Sequence, residues 1–233
     1  CPRFHEVIHY LTFMKYRFTN RTGGASSGAF ASLNLGTHVS DDLTTVLSNR
    51  ALLAGQVGPI QYMSQVHGNR VVVIEEVTDE DPTADALVTG IPGVSLAVQV
   101  ADCIPLLLHS AESVAAVHVG RKGLVNGVAL AALDAMRDMG SQKITAIIGP
   151  CICGPCYEVS QEIYDEVVAV HPAAASRTAQ GTMALDLPAA LRVVLEGQAV
   201  LVIDESRCTL EESDLYSYRR DGVTGRQAGI ISL

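Results

Sequence analysis

Between Val71 and Val119 the chain carries four short apolar runs, Val71–Ile74, Leu96–Val100, Ile104–His109 and Val114–Val119, broken by Gly and polar residues. Runs of this length, rich in β-branched and aliphatic residues, read as strands. A different period follows. Apolar residues at 124, 125, 128, 131, 132, 135, 136 and 139 mark one face of a helix that ends at Gly140. Ile144–Ile148 and Ala199–Ile203 repeat the strand signature. Ser160 caps a helix to about Val170, Asp186 with Pro188 opens another through Glu196, and Asp41 or Asp42 caps one running to about Ala54. Strands and helices mingle without alternating one for one. The expected class is therefore an α/β sandwich rather than a regular doubly wound parallel sheet.

The 233 residues contain no repeat, low-complexity tract or linker, so one domain spanning 1–233 is expected. Hydrophobic residues at 48% against 18% charged exclude a disordered chain, and the absence of tryptophan leaves the core to aliphatic side chains. The formal charge of −9 repels phosphate backbones and anionic lipid, which disfavours nucleic acid and membranes as partners. Small anions remain compatible with a local basic pocket. The longest apolar run, Val94–Leu108, is interrupted by Gln99 and Asp102 and is too short to cross a bilayer. The segment CPRFHEVIHY lacks the apolar core of a secretion signal, and three of the six cysteines crowd into Cys151, Cys153 and Cys156. A cytoplasmic, reduced protein is expected.

Several segments carry residues suited to chemistry. In QVHGNRV, His67 sits at the mouth of a strand, where its ring can enter a cleft or simply close a turn. In VADCIPLLL, Asp102 and Cys103 lie between two buried runs; a carboxylate there is costly without a partner, whereas a lone thiol is often inert core. In AAVHVGRKG, a strand ends at His118 and passes through a glycine turn bearing Arg121 and Lys122 into a helix, a connection that suits a phosphate or is merely structural. Two histidines and one thiolate leave the fourth corner of a tetrahedral zinc site open, as catalytic sites do. Their separations of 36 and 15 residues identify no local motif. Cys151, Cys153 and Cys156 offer a competing metal site, but two prolines constrain them and no fourth ligand lies nearby in sequence, so an active-site loop is the preferred reading. His5, His9, His109 and His171 fall in no constellation, while His38 lies in the loop-like stretch 20–45. Near the end, Arg219, Arg220 and Arg226 gather among Gly222, Gly225 and Gly229, either as a solvated edge or as a clamp on phosphate or ribose.

Taken in order, TNRTGGASSG, SLNLGTHVSDD, QVHGNRV, ADALVTGIPGVSLAVQVADCIPLLL, AAVHVGRKG, IGPCICGPCYEV, SYRRDG and TGRQAG resemble the laccase-domain family, long labelled multicopper polyphenol oxidases and now regarded as purine nucleoside phosphorylases. The resemblance implies one zinc ion on His67, Cys103 and His118. It implies a single α/β/α-layered domain with a mixed sheet, like the catalytic fold of bacterial deamidating toxins. It implies phosphorolysis of adenosine, inosine, guanosine and methylthioadenosine, and hydrolytic deamination of adenosine. Two departures stand out: HVGRKG replaces the usual HAGWRG, and Glu211 stands about where a second cysteine after Cys208 is expected.

On this reading the partners are a nucleoside and phosphate. Arg121, Lys122, Arg219 and Arg220 are the candidate phosphate ligands, Asn34 a substrate contact, and Asp102 the group that orients a zinc ligand. Two rival readings follow from the same residues. One is a hydrolase or amidase with Cys103 as nucleophile and His118 as base. The other is a copper-dependent polyphenol oxidase, for which two histidines are too few to hold several coppers.

Overall fold

A computed structural model describes residues 14–233. His5, His9 and the CPRFHEVIHY segment lie outside the described residues.

The central sheet has six strands: β3 (Val71–Val73), β4 (Ala86–Thr89), β6 (Ile104–His109), β7 (Val114–Val119), β8 (Thr145–Ile148) and β11 (Leu201–Asp204), in the order β11-β8-β6-β7-β4-β3. It is mixed: β11–β8 and β3–β4 run parallel, and β6 runs antiparallel to both β7 and β8. A second sheet of four strands, β1 (Lys15–Phe18), β2 (Ile60–Gln61), β5 (Ser95–Val100) and β12 (Gln227–Ser232), is ordered β1-β12-β5-β2. A hairpin of β9 (Ala175–Arg177) and β10 (Met183–Leu185) completes the strands.

Three apolar clusters show how these elements stack. Leu96, Val98 and Ile231 of the smaller sheet meet Leu87, Leu107, Ala116 and Ile147 of the larger one. The other face of the large sheet packs through Leu106, Val117 and Ile148 on the helices α3 (Val128–Asp138), α4 (Gln161–Val170) and α5 (Leu187–Gly197). The outer face of the small sheet is covered by α1 (Leu43–Val57), where Leu53 meets Ile60, Ala97 and Ile230. The layered α/β architecture expected from the sequence is present, with a second sheet inside the layers. Strands sandwiched in this way bury both faces, which is why β5, β6 and β7 read as nearly continuous apolar runs.

Helix caps fall where sequence places them: Asp42 accepts from Thr45 N–H, Ser160 from Ile163 N–H and Asp186 from Ala189 N–H. The stripe from 124 to 139 is two helices rather than one. The short α2 (Arg121–Val125) stops before Gly127, whose φ of +74° admits the left-handed kink from which α3 starts. Among the described residues no helix is long and apolar enough to cross a membrane.

Candidate metal and substrate site

His118 lies within β7 opposite Pro105 of β6, almost fully buried. Cys103 occupies the turn that carries β5 into β6, directly after Asp102, whose φ of +97° is forced on a non-glycine residue. His67 lies in the loop before β3 and also has a positive φ, +59°. Residues held in that region cost of order 1–3 kcal/mol and persist where surrounding contacts fix them. At His67 the fixing group is Asp85.

Asp85 is fully buried at the start of β4. Its carboxylate accepts the backbone N–H groups of Val66, His67 and Gly68 at 3.3, 2.9 and 2.7 Å, and meets His118 Nδ1 at 2.8 Å. Burial opposes its ionisation, yet the bonds from His118 and from the Gly68 and His67 amides hold its pKa below the ordinary carboxylate value. An ionised carboxylate only accepts, so Nδ1 of His118 donates to Asp85 and Nε2 is the ring nitrogen left to face the site.

The donor atoms of His67, Cys103 and His118 lie within 4.8 Å of one another. His67 Nε2 is 4.0 Å from Cys103 Sγ, and the two imidazoles meet edge to face with centroids 4.6 Å apart. Tetrahedral zinc with Zn–N near 2.0 Å and Zn–S near 2.3 Å needs N···S separations of about 3.6 Å. The His67–Cys103 separation is within a few tenths of an ångström of that value, and two imidazoles with one thiol is a donor set zinc takes, so the residues fit. Backbone also limits what stands beside them. A Cβ on Gly120 would lie 3.0 Å from Cys103 Sγ and 3.1 Å from His67 Cδ2.

The thiol and the imidazoles bias one another. Burial alone would raise the Cys103 thiol, but the charge and hydrogen bond of His118, with help from His67, bring it down to about 6. Burial would lower His118, and the Cys103 thiolate and Asp85 instead raise it to about 9.

These three residues line one wall of a cavity of about 470 Å³, a size that suits a small-molecule ligand. Ile152, Tyr157, Leu187 and Tyr218 give it apolar surface; Arg121, Arg219 and Arg226 give it positive charge. Arg219 also lies over the Tyr157 ring, 5.2 Å from its centroid, and Arg121 reaches Glu166 at 3.0 Å.

Four of the residues singled out in the sequence meet other partners in the structure. Lys122 is exposed and absent from the cavity wall, because it lies on the outer side of α2. Arg220 is a structural clip: its guanidinium donates to the carbonyls of Thr209, Leu210, Glu212 and Leu215 and pairs with Asp221, all away from the cavity. Asn34 is completely buried and bridges two loops, accepting from the N–H groups of Gly36 and Arg226 and donating to Asp41. Its place at the cavity passes to Arg226. Asp102 turns from both histidine rings to accept from Thr209 Oγ1 and Arg219 N–H, at 2.6 and 2.7 Å. The carboxylate on a ligand ring is Asp85.

Two contributors went unassigned in the sequence. Asp85 precedes the apolar run ALVT, the kind of costly carboxylate that drew attention to Asp102. His38, noted only for its loop, lines the cavity, where burial and the Arg226 charge lower its pKa and favour the neutral ring.

The family described as multi-copper polyphenol oxidoreductase laccase matches residues 15–233. The chain belongs to that family. Within this laccase-type family, a Corynebacterium glutamicum protein named purine nucleoside phosphorylase is 42% identical over 228 residues, covering 93% of each chain. A Streptomyces coelicolor protein of the same name is 44% identical, with 94% of this chain and 95% of the relative covered. The crystal structure of Neisseria meningitidis protein NMB0706 superposes with a TM-score of 0.87 at 38% identity over 94% of both chains. YlmD from Geobacillus stearothermophilus superposes with a TM-score of 0.83 at 33% identity, over 94% of this chain and 91% of the other.

Proposed function

We propose that this laccase-type chain is a zinc-dependent purine nucleoside phosphorylase acting on adenosine, inosine, guanosine and methylthioadenosine, with adenosine deaminase activity as a second reaction. One observation carries the reading: a three-donor site opens into a cavity that also holds three arginines and a half-apolar wall. Relatives with 42–44% identity bearing the phosphorylase name support it.

In phosphorolysis a phosphate oxygen bonds to the ribose C1′ as the bond from C1′ to the purine nitrogen breaks, releasing base and ribose 1-phosphate. The chain's part is to hold two reactants in line, which lowers the entropy cost of their encounter. Arg121, Arg219 and Arg226 place cationic donors for phosphate. Tyr157, Tyr218, Ile152 and Leu187 offer the flat and aliphatic surface a purine needs. Asp85 fixes the His118 ring and the 66–68 backbone together, so both imidazoles keep their orientation. Zinc held by His67, Cys103 and His118 would supply Lewis acidity and lower a water pKa toward ~7, which suits replacement of the purine 6-amino group by oxygen. Two histidines with one thiolate favour a single zinc over several coppers.

A second reading, a hydrolase with Cys103 as nucleophile, draws on the lowered thiol beside His118. Stoichiometric zinc in protein purified without added metal, with Cys103 protected from alkylation, argues against it. The deciding assay is chromatography of adenosine incubated with protein, with and without phosphate. Adenine plus ribose 1-phosphate marks phosphorolysis and inosine marks deamination. The absence of both overturns the proposal.

A further inference from the structure

β8 and β11 run parallel as neighbours, so the loops that leave their C-terminal ends emerge side by side. The two loops stay paired: Cys151 N–H donates to Arg207 O and Thr209 N–H donates to Cys151 O, both at 3.1 Å. Cys151 itself is buried among core residues. Cys153 and Cys156 bracket a single turn that holds Pro155, and together they face the second loop. Cys153 N–H points at Cys208 Sγ at 3.5 Å, and Cys156 Sγ is 3.7 Å from a Glu211 carboxylate oxygen. Donor atoms of Cys153, Cys156, Cys208 and Glu211 all lie within 4.8 Å of one another, and the three sulfurs are unlinked thiols.

Three half-buried thiols gathered on one carboxylate are not explained by packing. Nearby acids are satisfied otherwise: Arg207 pairs with both Glu212 and Asp214, while Glu211 meets a thiol. The cluster also differs in kind from the His67 site. It offers four protein donors rather than three, with no corner left for a substrate. Four protein donors around a tetrahedral cation is the pattern of a structural zinc site, and thiolates select zinc among hard and soft divalent ions.

We propose that Cys153, Cys156, Cys208 and Glu211 bind a second zinc ion whose role is structural. Binding releases the three thiol protons and leaves Glu211 ionised, with no change of oxidation state. The ion staples the loop that carries Ile152 to the loop that carries Thr209. Ile152, between two of the cysteines, lines that cavity and donates its N–H to Asp102 O at 2.9 Å. Thr209, next to Cys208, donates to the Asp102 carboxylate. Both loops therefore fix the residue that precedes Cys103, and an ion joining them holds the turn on which the first metal site depends. The inference goes beyond the nucleoside reading and stands without it.

The test measures zinc content by elemental analysis, in protein purified under reducing conditions and dialysed against metal-free buffer. The wild-type chain is expected to hold about two zinc ions and the His67→Ala/His118→Ala variant about one. Cys208→Ser is expected to lose the second ion and keep the first. Cobalt(II) substituted into the histidine variant should give the intense thiolate-to-cobalt charge-transfer absorption of a sulfur-rich tetrahedral site, and Glu211→Cys should retain and strengthen it. Should the histidine variant fail to fold, the wild-type against Cys208→Ser comparison decides alone. An unchanged count in Cys208→Ser, a folded His67→Ala/His118→Ala variant that holds no zinc, or a Cys153–Cys208 disulfide in reduced protein would each overturn the proposal, whereas one zinc in the wild type that Cys208→Ser loses would count against the His67 site instead.

Discussion

Asp85 and His118 meet at 2.8 Å with neither side chain open to solvent, and the same carboxylate gathers three successive backbone amides of the His67 loop. One oxygen serves His118 and His67, and the other serves Val66 and Gly68. Asp85→Asn puts an NH2 group where one of those oxygens stood, so donor faces donor and the imidazole loses its charged acceptor. Metal affinity is expected to fall about 10–100-fold, as for other groups that orient metal-bound histidines. A chelator competition series measures it. Unfolding should also come earlier, because each buried donor left unpaired costs about 1–3 kcal/mol. Unchanged zinc affinity in Asp85→Asn would refute the orienting role.

Cys103 and His118 titrate in opposite senses. The folded thiol lies at about 6 against 9.0 in the unfolded chain, so its contribution to stability grows as pH rises through that window. The folded imidazole lies at about 9 against 6.5, so its contribution is full below 6.5 and is lost as pH rises toward 9. Between these limits the two slopes cancel, and stability should vary little with pH on their account. Reactivity does not cancel. In chelator-treated protein, alkylation of Cys103 followed by peptide mass spectrometry should show a midpoint near pH 6, rising in His118→Asn. Added zinc should suppress it. A midpoint near the ordinary thiol value of 9.0 would show that the pairing with His118 is absent.

Much of the scaffold was legible because its strands bury both faces. β6 and β7 match their apolar runs residue for residue, and β8 and β11 differ only at their ends. β1 and β12 were not read: KYRF alternates polar and apolar residues over only four positions, and β12 begins with the polar Gln227 and contains Gly229, which weakens a strand signal. The helical stripe continued across Gly127, whose effect is on backbone geometry and not on periodicity. Within the site, the sequence singled out His67, Cys103 and His118, but their separation along the chain said nothing of distance. Asp85 escaped notice because its partners are backbone amides and a histidine 33 residues away. The meeting of Cys156 with Glu211 depends on parallel pairing of strands more than 50 residues apart, which no local pattern encodes.

Gly120 separates His118 from Arg121 and leaves no room for a side chain. Its backbone is extended, so alanine is tolerated conformationally, and the effect of Gly120→Ala is steric. The added methyl would press on Cys103 Sγ and His67 Cδ2 at about the separations given above, inside normal carbon–sulfur and carbon–carbon contact (about 3.5–4.0 Å). The two ligands must then splay. Zinc binding is expected to weaken at least tenfold while the chelator-treated protein keeps a near-normal melting temperature, since the crowding falls on the site and not on a core cluster. A variant that binds zinc normally would mean the ligands have slack at this contact.

The arginines divide by what their guanidinium groups already hold. Arg226 is half-buried beside the cavity, and its burial opposes the charge, lowering its pKa; only the carbonyls of Thr224 and Gly225 accept from it. Donors remain for an anionic substrate. Arg219 spends one donor on Glu158 O and keeps the rest at the cavity. Arg220 is committed to four carbonyls and Asp221. Arg226→Ala or Arg219→Ala is therefore expected to raise the KM for phosphate about tenfold or more, the worth of one charge-assisted contact of about 1.5–3 kcal/mol. Arg220→Ala should instead lower the melting temperature by roughly 4 °C or more, from about 2 kcal/mol of lost hydrogen bonding. Lys122→Ala, on the outer face of α2, should alter neither. Phosphate saturation curves and thermal melts on the four variants separate these outcomes. A phosphate KM that rises in Lys122→Ala but not in Arg226→Ala would move the anion site out of the cavity altogether.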